Sequence, residues 1–407
     1  MKPTIRSPKF LYLVVIRSVV PLLFSFAFSL DLIYYYEQVQ MDALQLVLVG
    51  TMLEFSVLLF EIPTGVVADL YGRKPSIIIG FFLVGIGLGL QGVIAEFWNI
   101  LVCQVIWGVG VTFLSGAVEA WLSDEVGEQH ANDLIIQGTR PEQIFSIAGI
   151  ALAAMVMPFN MRLPLLLGGI GFLIVTLFLW VMMPEKGFQP SRQKTEPFWQ
   201  QMKATVVGGM KEVRRRPNLR WILLLSVFLA IYTEGFDRLW IPFAMDSYDF
   251  GVIGPERMIG GAHIIGKVLI FFLLGSLHKR VNLADQRVLA RTITVIIFLL
   301  FVALIGAVAT PWLAAALTAM VLASMLREVL SPMYATWVNY RLRPETRATV
   351  LSLSGQMDAV GQILGGPAIG GVARRFSKRV GLGFSVLLLT PAMWLITRKR
   401  IRESDPV

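Results

Sequence analysis

Residues 60–74 read Phe60-Glu61-Ile62-Pro63-Thr64-Gly65-Val66-Val67-Ala68-Asp69-Leu70-Tyr71-Gly72-Arg73-Lys74. An apolar run over about 42–67 leads into this stretch, and a second over about 76–95 follows it. Each run, coiled as a helix, is long enough to cross about 30 Å of hydrocarbon. The polar residues between them therefore form a short turn at a membrane surface. In that turn Gly65 permits two helices to approach closely, and Gly72 permits positive φ. Asp69 is a fixed negative charge able to face a helix N-terminus. Arg73 can bridge carboxylates, with Asp124 at the end of the fourth span as a partner.

The pattern continues outward in both directions. The 407-residue chain is 56% hydrophobic and 15% charged, whereas soluble domains carry about 25% charged residues. Apolar runs recur at about 10–35, 42–67, 76–95, 98–123, 134–158, 162–183, 221–245, 254–278, 289–309, 311–338, 347–372 and 380–397. Pro75, Pro184, Pro217, Gly254-Pro255, Pro311 and Pro344 punctuate them. The ten-residue alternation of a membrane β-barrel is not found. The reading is an all-α membrane protein of twelve transmembrane helices, with the basic N-terminus leading into the first span and not into a cleaved signal.

Charge fixes the orientation. Of the 36 Lys and Arg, 26 fall at the two termini and in the loops on the same side, and 6 fall in the opposite loops. Both termini are thus expected in the cytoplasm, and the net charge of +9 reflects inner loops and not nucleic-acid binding. The Arg374–Arg379 cluster breaks the rule. The longest connection, 184–220, is basic and ends in Arg214-Arg215-Arg216-Pro217. It divides an N-terminal bundle, 1–183, from a C-terminal one, 221–407, and 196–213 can form a surface-lying amphipathic helix.

The halves resemble each other. A shift of 216 residues lays Leu114, Ser115 and Trp121 on Leu330, Ser331 and Trp337, Glu142 on Asp358, Gly149 on Gly365, and Ala68-Asp69 on Ala284-Asp285. Paired halves suit alternating access, in which one bundle rocks against the other.

The loop 65–74 fits the pattern G-x-x-x-D-x-x-G-R-[RK] at Gly65, Asp69, Gly72, Arg73 and Lys74. It resembles the signature loop of the major facilitator superfamily, and the two sets of six spans extend the resemblance over the chain. The resemblance implies the major facilitator fold with two pseudo-symmetric six-helix bundles. It also implies a functional monomer, and a conformational latch formed by the loop with Asp124. The preceding Glu61-Ile62-Pro63-Thr64-Gly65 is similar to the proton-coupled multidrug efflux members. Two features depart from those members. Gln104 stands four residues before Gly108 where they carry Arg. Their Gly-Pro-x-x-Gly-Gly element is missing from the fifth span and stands instead in the eleventh, at Gly366-Pro367-Ala368-Ile369-Gly370-Gly371. Gly366, Pro367, Gly370 and Gly371 form a close-packing and helix-bending element.

Charged groups at bilayer depth cost at least about 2.5 kcal/mol each, so each needs a partner or a wet cavity. The acids there are Asp31, Glu54, Glu61, Glu119, Glu142, Glu234, Asp237, Glu328 and Asp358. The bases are Arg17, Arg238, Lys267 and Arg327. The excess of acids suits proton carriage and cationic substrates. Glu234 and Arg238 stand at i,i+4 and can neutralise each other. Arg327 and Glu328 point to different faces and need other partners. Glu119 and Asp358, each the lone acid of its stretch, are the foremost coupling or substrate-contact candidates. Asp31, Glu54, Glu61, Glu234, Asp237, Arg327 and Glu328 complete the set. Asp31 lies near Tyr34–Tyr36, an interfacial aromatic belt, and Trp107, Trp121, Phe236, Trp240 and Trp337 offer stacking surfaces. The single Cys103 excludes an intrachain disulfide, and His130, His263 and His278 lack metal-ligand spacing. No cofactor or metal is called for, and the absence of a phosphate-binding loop excludes a primary pump.

The function expected is proton-coupled efflux of amphipathic or cationic organic compounds through a bacterial cytoplasmic membrane. Its partners are the small-molecule substrate, protons and membrane lipids. The alternative is a symporter or exporter of a specific, anionic metabolite, favoured by Arg17, Lys267 and Arg327. A membrane-embedded lipid enzyme is the remote third reading.

Overall fold

The computed structural model describes residues 5–189, 217–280, 286–339 and 344–397. The amphipathic stretch 196–213, the Arg214–Arg216 run and the Ala284-Asp285 match lie outside the described residues.

Helices dominate, and no strand occurs among the described residues. We number twelve helical segments. They are α1 (Pro8–Gln38), α2 (Ala43–Tyr71), α3 (Arg73–Val93), α4 (Phe97–Val126), α5 (Glu128–Val156) and α6 (Leu163–Met182). There follow α7 (Pro217–Ala230 and Thr233–Ser247), α8 (Pro255–Arg280), α9 (Gln286–Ala309), α10 (Leu313–Asn339), α11 (Pro344–Arg375) and α12 (Lys378–Thr397). Eight of them, α1 to α4, α6, α9, α10 and α12, are long and apolar enough to cross a membrane by length and composition. Pro217, Pro255 and Pro344 occupy the first helical position of their segments, where a missing N–H costs nothing and the fixed φ favours the first turn.

Not every span is one uninterrupted helix. The 98–123 run breaks after Leu114, where Gly116 takes φ +68° and starts Ala117–Val126. Glu119 thus sits in the first turn of a new helix rather than in the middle of a span. The first span loosens into π-helical turns over Leu11–Val19 and Tyr34–Gln38 and breaks at Ser29–Leu30. The seventh breaks at Ile231–Tyr232, and the twelfth at Leu388–Leu389.

Two compact units result. The first comprises Met1–Met41 and Met52–Ala204, the second Asp42–Thr51 and Thr205–Val407. In the first unit α3 packs on α4 and α6, and α5 packs on α1. In the second α11 packs on α7, and α10 packs on α8 and α9.

The contact of α5 with α1 and that of α11 with α7 use the same device. A Cβ on Gly149 would lie 2.3 Å from the Leu22 carbonyl oxygen, and one on Gly365 would lie 2.0 Å from that of Ile231. These are the glycines that the 216-residue shift superposes. Each lets one helix rest on the backbone of its neighbour, which no other residue allows at that distance. Gly366 also leaves no room for a side chain, against Thr51, and Gly370 stands in tight contact with Leu44, while a Cβ on Gly371 would meet nothing within 4 Å. Helix α11 runs through Pro367 without interruption.

Candidate functional site

The turn between α2 and α3 is built as a junction of three chain segments. Gly72 takes φ +124° and caps α3. Arg73 pairs with Asp69 one turn back on α2, lies 3.7 Å from Asp124 at the end of α4, and stands over the Phe188 ring. Lys74 donates its Nζ to the Met183 carbonyl at 2.7 Å. The partners of Asp69, Arg73 and Lys74 all belong to the first unit.

Two expectations for this loop need correction. Gly65 makes no close approach, since a Cβ there would meet nothing within 4 Å. Nor is Asp69 the carboxylate that faces a helix N-terminus. That carboxylate is Glu185, whose Oε1 accepts the Lys74 backbone N–H at 2.8 Å. Glu185 belongs to a strap, Met183–Phe188, that follows α6. The strap is tied down along its length. The Trp121 indole donates to the Pro184 carbonyl at 2.8 Å, and Glu125 accepts the backbone N–H groups of Lys186 and Gly187. Sequence reading missed the strap because no local pattern marks a cap supplied by a distant segment.

Each unit also holds a polar cavity. The first, of about 520 Å³, lies among α1, α4 and α5. Arg17 and Glu142 pair in it at 3.0 Å. The Arg17 chain lies against Gly138 and over the Tyr12 ring. Glu119 lines the same cavity and has no hydrogen-bond or ion-pair partner among the described residues. Glu61 lies outside the lining and accepts from Ser115 Oγ at 2.7 Å, at the break in α4.

The second cavity, of about 740 Å³, lies among α7, α10 and α11. Arg327 holds Asp237 with both guanidinium nitrogens, Nη2 at 2.7 Å from Oδ2. Glu328, which lines the same cavity, accepts from Lys267 Nζ at 2.8 Å. Asp358 takes one hydrogen bond, from Gln362 Nε2 to Oδ2 at 2.9 Å. The wall is rich in hydroxyls, among them Ser226, Tyr232, Ser324, Ser331, Tyr334 and Ser354.

The bases at bilayer depth are therefore all paired with carboxylates. The remaining pair, Arg238 and Glu234, stands at 3.0 Å. Of the coupling candidates, Glu119, Asp237, Arg327, Glu328 and Asp358 line a cavity. Asp31, Glu54, Glu61 and Glu234 lie outside both linings. Asp31 and Glu234 are buried, and Glu54 and Glu61 are half-buried. Tyr34 and Tyr35 are no interfacial belt. Both are fully buried and donate to Gln91, on its carbonyl and its side-chain oxygen respectively. Gln104, standing where similar chains carry Arg, joins the same buried network, donating to Gln91 Oε1 at 3.2 Å. The proposed stacking aromatics serve packing instead. Trp121, Phe236, Trp240 and Trp337 are buried, and Trp107 stacks on Phe28 at 4.1 Å. The Arg374–Arg379 cluster is likewise engaged. Arg374 reaches Asp42 at 3.4 Å, Lys378 reaches Asp246 at 2.6 Å, and Arg379 stands over Phe243.

The family model described as Major Facilitator Superfamily matches residues 18–366. Among curated relatives, the MFS-type transporter YxaM of Bacillus subtilis (strain 168) is 25% identical over 370 residues, covering 89% of this chain and 90% of YxaM. The sialic acid transporter NanX of Escherichia coli (strain K12) is 28% identical over 178 residues, 41% of this chain and 38% of NanX. Among solved structures, the nucleoside transporter NupG superposes with a TM-score of 0.74 at 16% identity, over 96% of this chain and 100% of NupG. That likeness speaks for the fold.

Proposed function

The chain belongs to the major facilitator superfamily, as an integral membrane secondary transporter and not an enzyme, and from that premise we propose that it couples proton movement to the passage of small organic cations. One observation carries this reading. Every base at bilayer depth is paired with a carboxylate, while Glu119 and Asp358 face the two cavities with no cation bonded to them. The first cavity counts Arg17 against Glu119 and Glu142, and the second counts Arg327 and Lys267, the partner of Glu328, against Asp237, Glu328 and Asp358, so each keeps one acid in excess. Both favour positive charge, whether a proton or a cationic ligand.

We assign the proton to Glu119 and the substrate contact to Asp358. The first cavity offers few hydroxyls beside its charges, whereas the second is lined with them. The cycle is alternating access, in which proton and substrate bind the inward- and outward-facing states unequally and so shift their populations. Direction is export, the termini are cytoplasmic, and the protein works as a monomer in a bacterial inner membrane. The loop 65–74 with Asp124 acts as the latch of the cycle. Gly366, Pro367, Gly370 and Gly371 form its bending element.

A second reading has its own support. The hydroxyl-rich wall suits a specific polar metabolite, and NupG and NanX are transporters of nucleosides and of sialic acid. Proteoliposomes carrying an imposed pH gradient separate the two, with ethidium as cation, uridine as neutral solute and N-acetylneuraminate as anion. Gradient-dependent ethidium movement, abolished by Glu119→Gln or Asp358→Asn, is expected. Movement of uridine or N-acetylneuraminate without ethidium would replace the cation reading with the metabolite one.

A further inference from the structure

Three hydroxyls of the second-unit cavity wall form a connected chain. Ser226 on α7 is buried, with its Oγ 2.9 Å from the Tyr334 hydroxyl of α10 and 2.8 Å from Ser354 Oγ of α11. Tyr334 donates to the Ile222 carbonyl at 3.0 Å, which uses its only proton. Ser226 has two acceptors for its one proton, the Ile222 carbonyl at 3.3 Å and the Tyr334 hydroxyl, and can accept from Ser354. In that arrangement every hydroxyl proton in the chain is spent, and Ser354 Oγ keeps its lone pairs open to the cavity.

Asp358 stands one turn beyond Ser354 on α11, and both line the cavity. Gln362 occupies Oδ2 of Asp358 and leaves Oδ1 without a partner among the described residues. Gly355, between the two, has open space where a side chain would stand. Two acceptors, one charged and one neutral, thus stand about 6 Å apart on one helix face. Neighbouring donors are already committed, since Arg327 is held by Asp237 and Lys267 by Glu328.

We propose that this cavity selects organic cations that also carry hydroxyl groups, of the amino-sugar and aminocyclitol class, with Asp358 taking the ammonium and Ser354 a hydroxyl. An amine and a non-adjacent hydroxyl carried on one six-membered ring can reach both acceptors. The proposal rests on the cation reading above and narrows it. Ser226 and Tyr334 act as positioning residues, holding Ser354 in its acceptor role.

The test is ligand binding to purified protein in detergent micelles, read as the shift in melting temperature across a titration. The probes are glucosamine, glucose and cyclohexylamine. Glucosamine is expected to bind at least about tenfold more tightly than either control, the increment of one further hydrogen bond in a desolvated site. Ser354→Ala should bring glucosamine down to the cyclohexylamine level while leaving cyclohexylamine unchanged. Ser226→Ala should weaken glucosamine less than Ser354→Ala does. Asp358→Asn should erase the preference for glucosamine over glucose. Equal binding of glucosamine and cyclohexylamine, with Ser354→Ala changing neither, would overturn the proposal while leaving cation transport standing. Tighter binding of glucose than of either amine would overturn both.

Discussion

Glu185 and Lys74 are 111 residues apart in the chain, yet the Glu185 carboxylate accepts the Lys74 backbone N–H at 2.8 Å. A helix begins with N–H groups that have no partner within it, and α3 begins at Arg73. Its cap is therefore delivered by the strap that leaves α6. Of the strap's other contacts, those of Trp121 and Glu125 come from the end of α4, and those of Lys74 Nζ and Arg73 come from α3 itself.

Loosening that strap should be measurable at two positions. Removing the carboxylate in Glu185→Ala is expected to cost about 1 kcal/mol, the usual magnitude for a lost cap. Gly187→Ala should cost more, because its Cβ would stand 1.8 Å from the Asp124 carbonyl oxygen and the strap would have to lift. Lys186 lies between these residues, so trypsin should cut after Lys186 faster in both variants than in the parent. Unchanged melting temperatures and unchanged cleavage would mean that the strap contributes nothing to the junction.

The paired glycines give a sharper contrast. Gly149→Ala and Gly365→Ala each drive a methyl group into a backbone carbonyl that cannot rotate away. Each should destabilise by about 2 kcal/mol or more. Gly371 sits on the same helix as Gly365 with open space around it, so Gly371→Ala should be neutral or gain about 0.5 kcal/mol from helix propensity. Thermal melts of the three variants decide the matter. A tolerated Gly365→Ala would show that α11 does not lie on α7 as closely as described.

The ranking of these glycines explains how much could be read in advance. The 216-residue shift put Gly149 on Gly365 from sequence alone, and the contact they share is local to one helix pair in each half. The i,i+4 pair Glu234 and Arg238 was legible for the same reason, since one helix fixes both positions. Arg327 and Glu328, adjacent on one helix, need separate partners, but Asp237 and Lys267 come from other helices and no spacing names them. Arg17 and Glu142 both read as charges at bilayer depth, and their pairing depends on how α1 and α5 pack. The break at Ser115–Gly116 was hidden because the residues around it are small and apolar enough to continue a span.

The Arg17–Glu142 pair is partly exposed, at 21% and 35% of the two side chains, so its net contribution is modest. Breaking it from one side is a different matter, because the Arg17 stem lies against Gly138 and its Nε is buried. Glu142→Ala should cost about 1–2 kcal/mol by leaving that guanidinium uncompensated. Replacing both members, in Arg17→Met with Glu142→Met, should recover most of the loss. A double variant as unstable as the single one would show that packing of the Arg17 stem, not its charge, sets the stability here.

The last prediction concerns Arg73, which touches Asp69, Asp124 and the ring of Phe188 together. A planar guanidinium can serve two carboxylates and stack at once, whereas an ammonium offers a single point of charge. Arg73→Lys keeps the positive charge and so keeps whatever the loop contributes to membrane orientation. Lysine can keep an ion pair with the half-exposed Asp69 one turn away, so folding should change by about 1 kcal/mol or less. If the loop is a latch, the variant should bind ethidium as the parent does but move it at least about tenfold more slowly under a pH gradient. Equilibrium binding and transport rate, measured on the same preparation, separate these quantities. Parental rates in Arg73→Lys would reduce the loop to a turn with a topological charge, because everything a latch needs beyond charge would have been removed without effect.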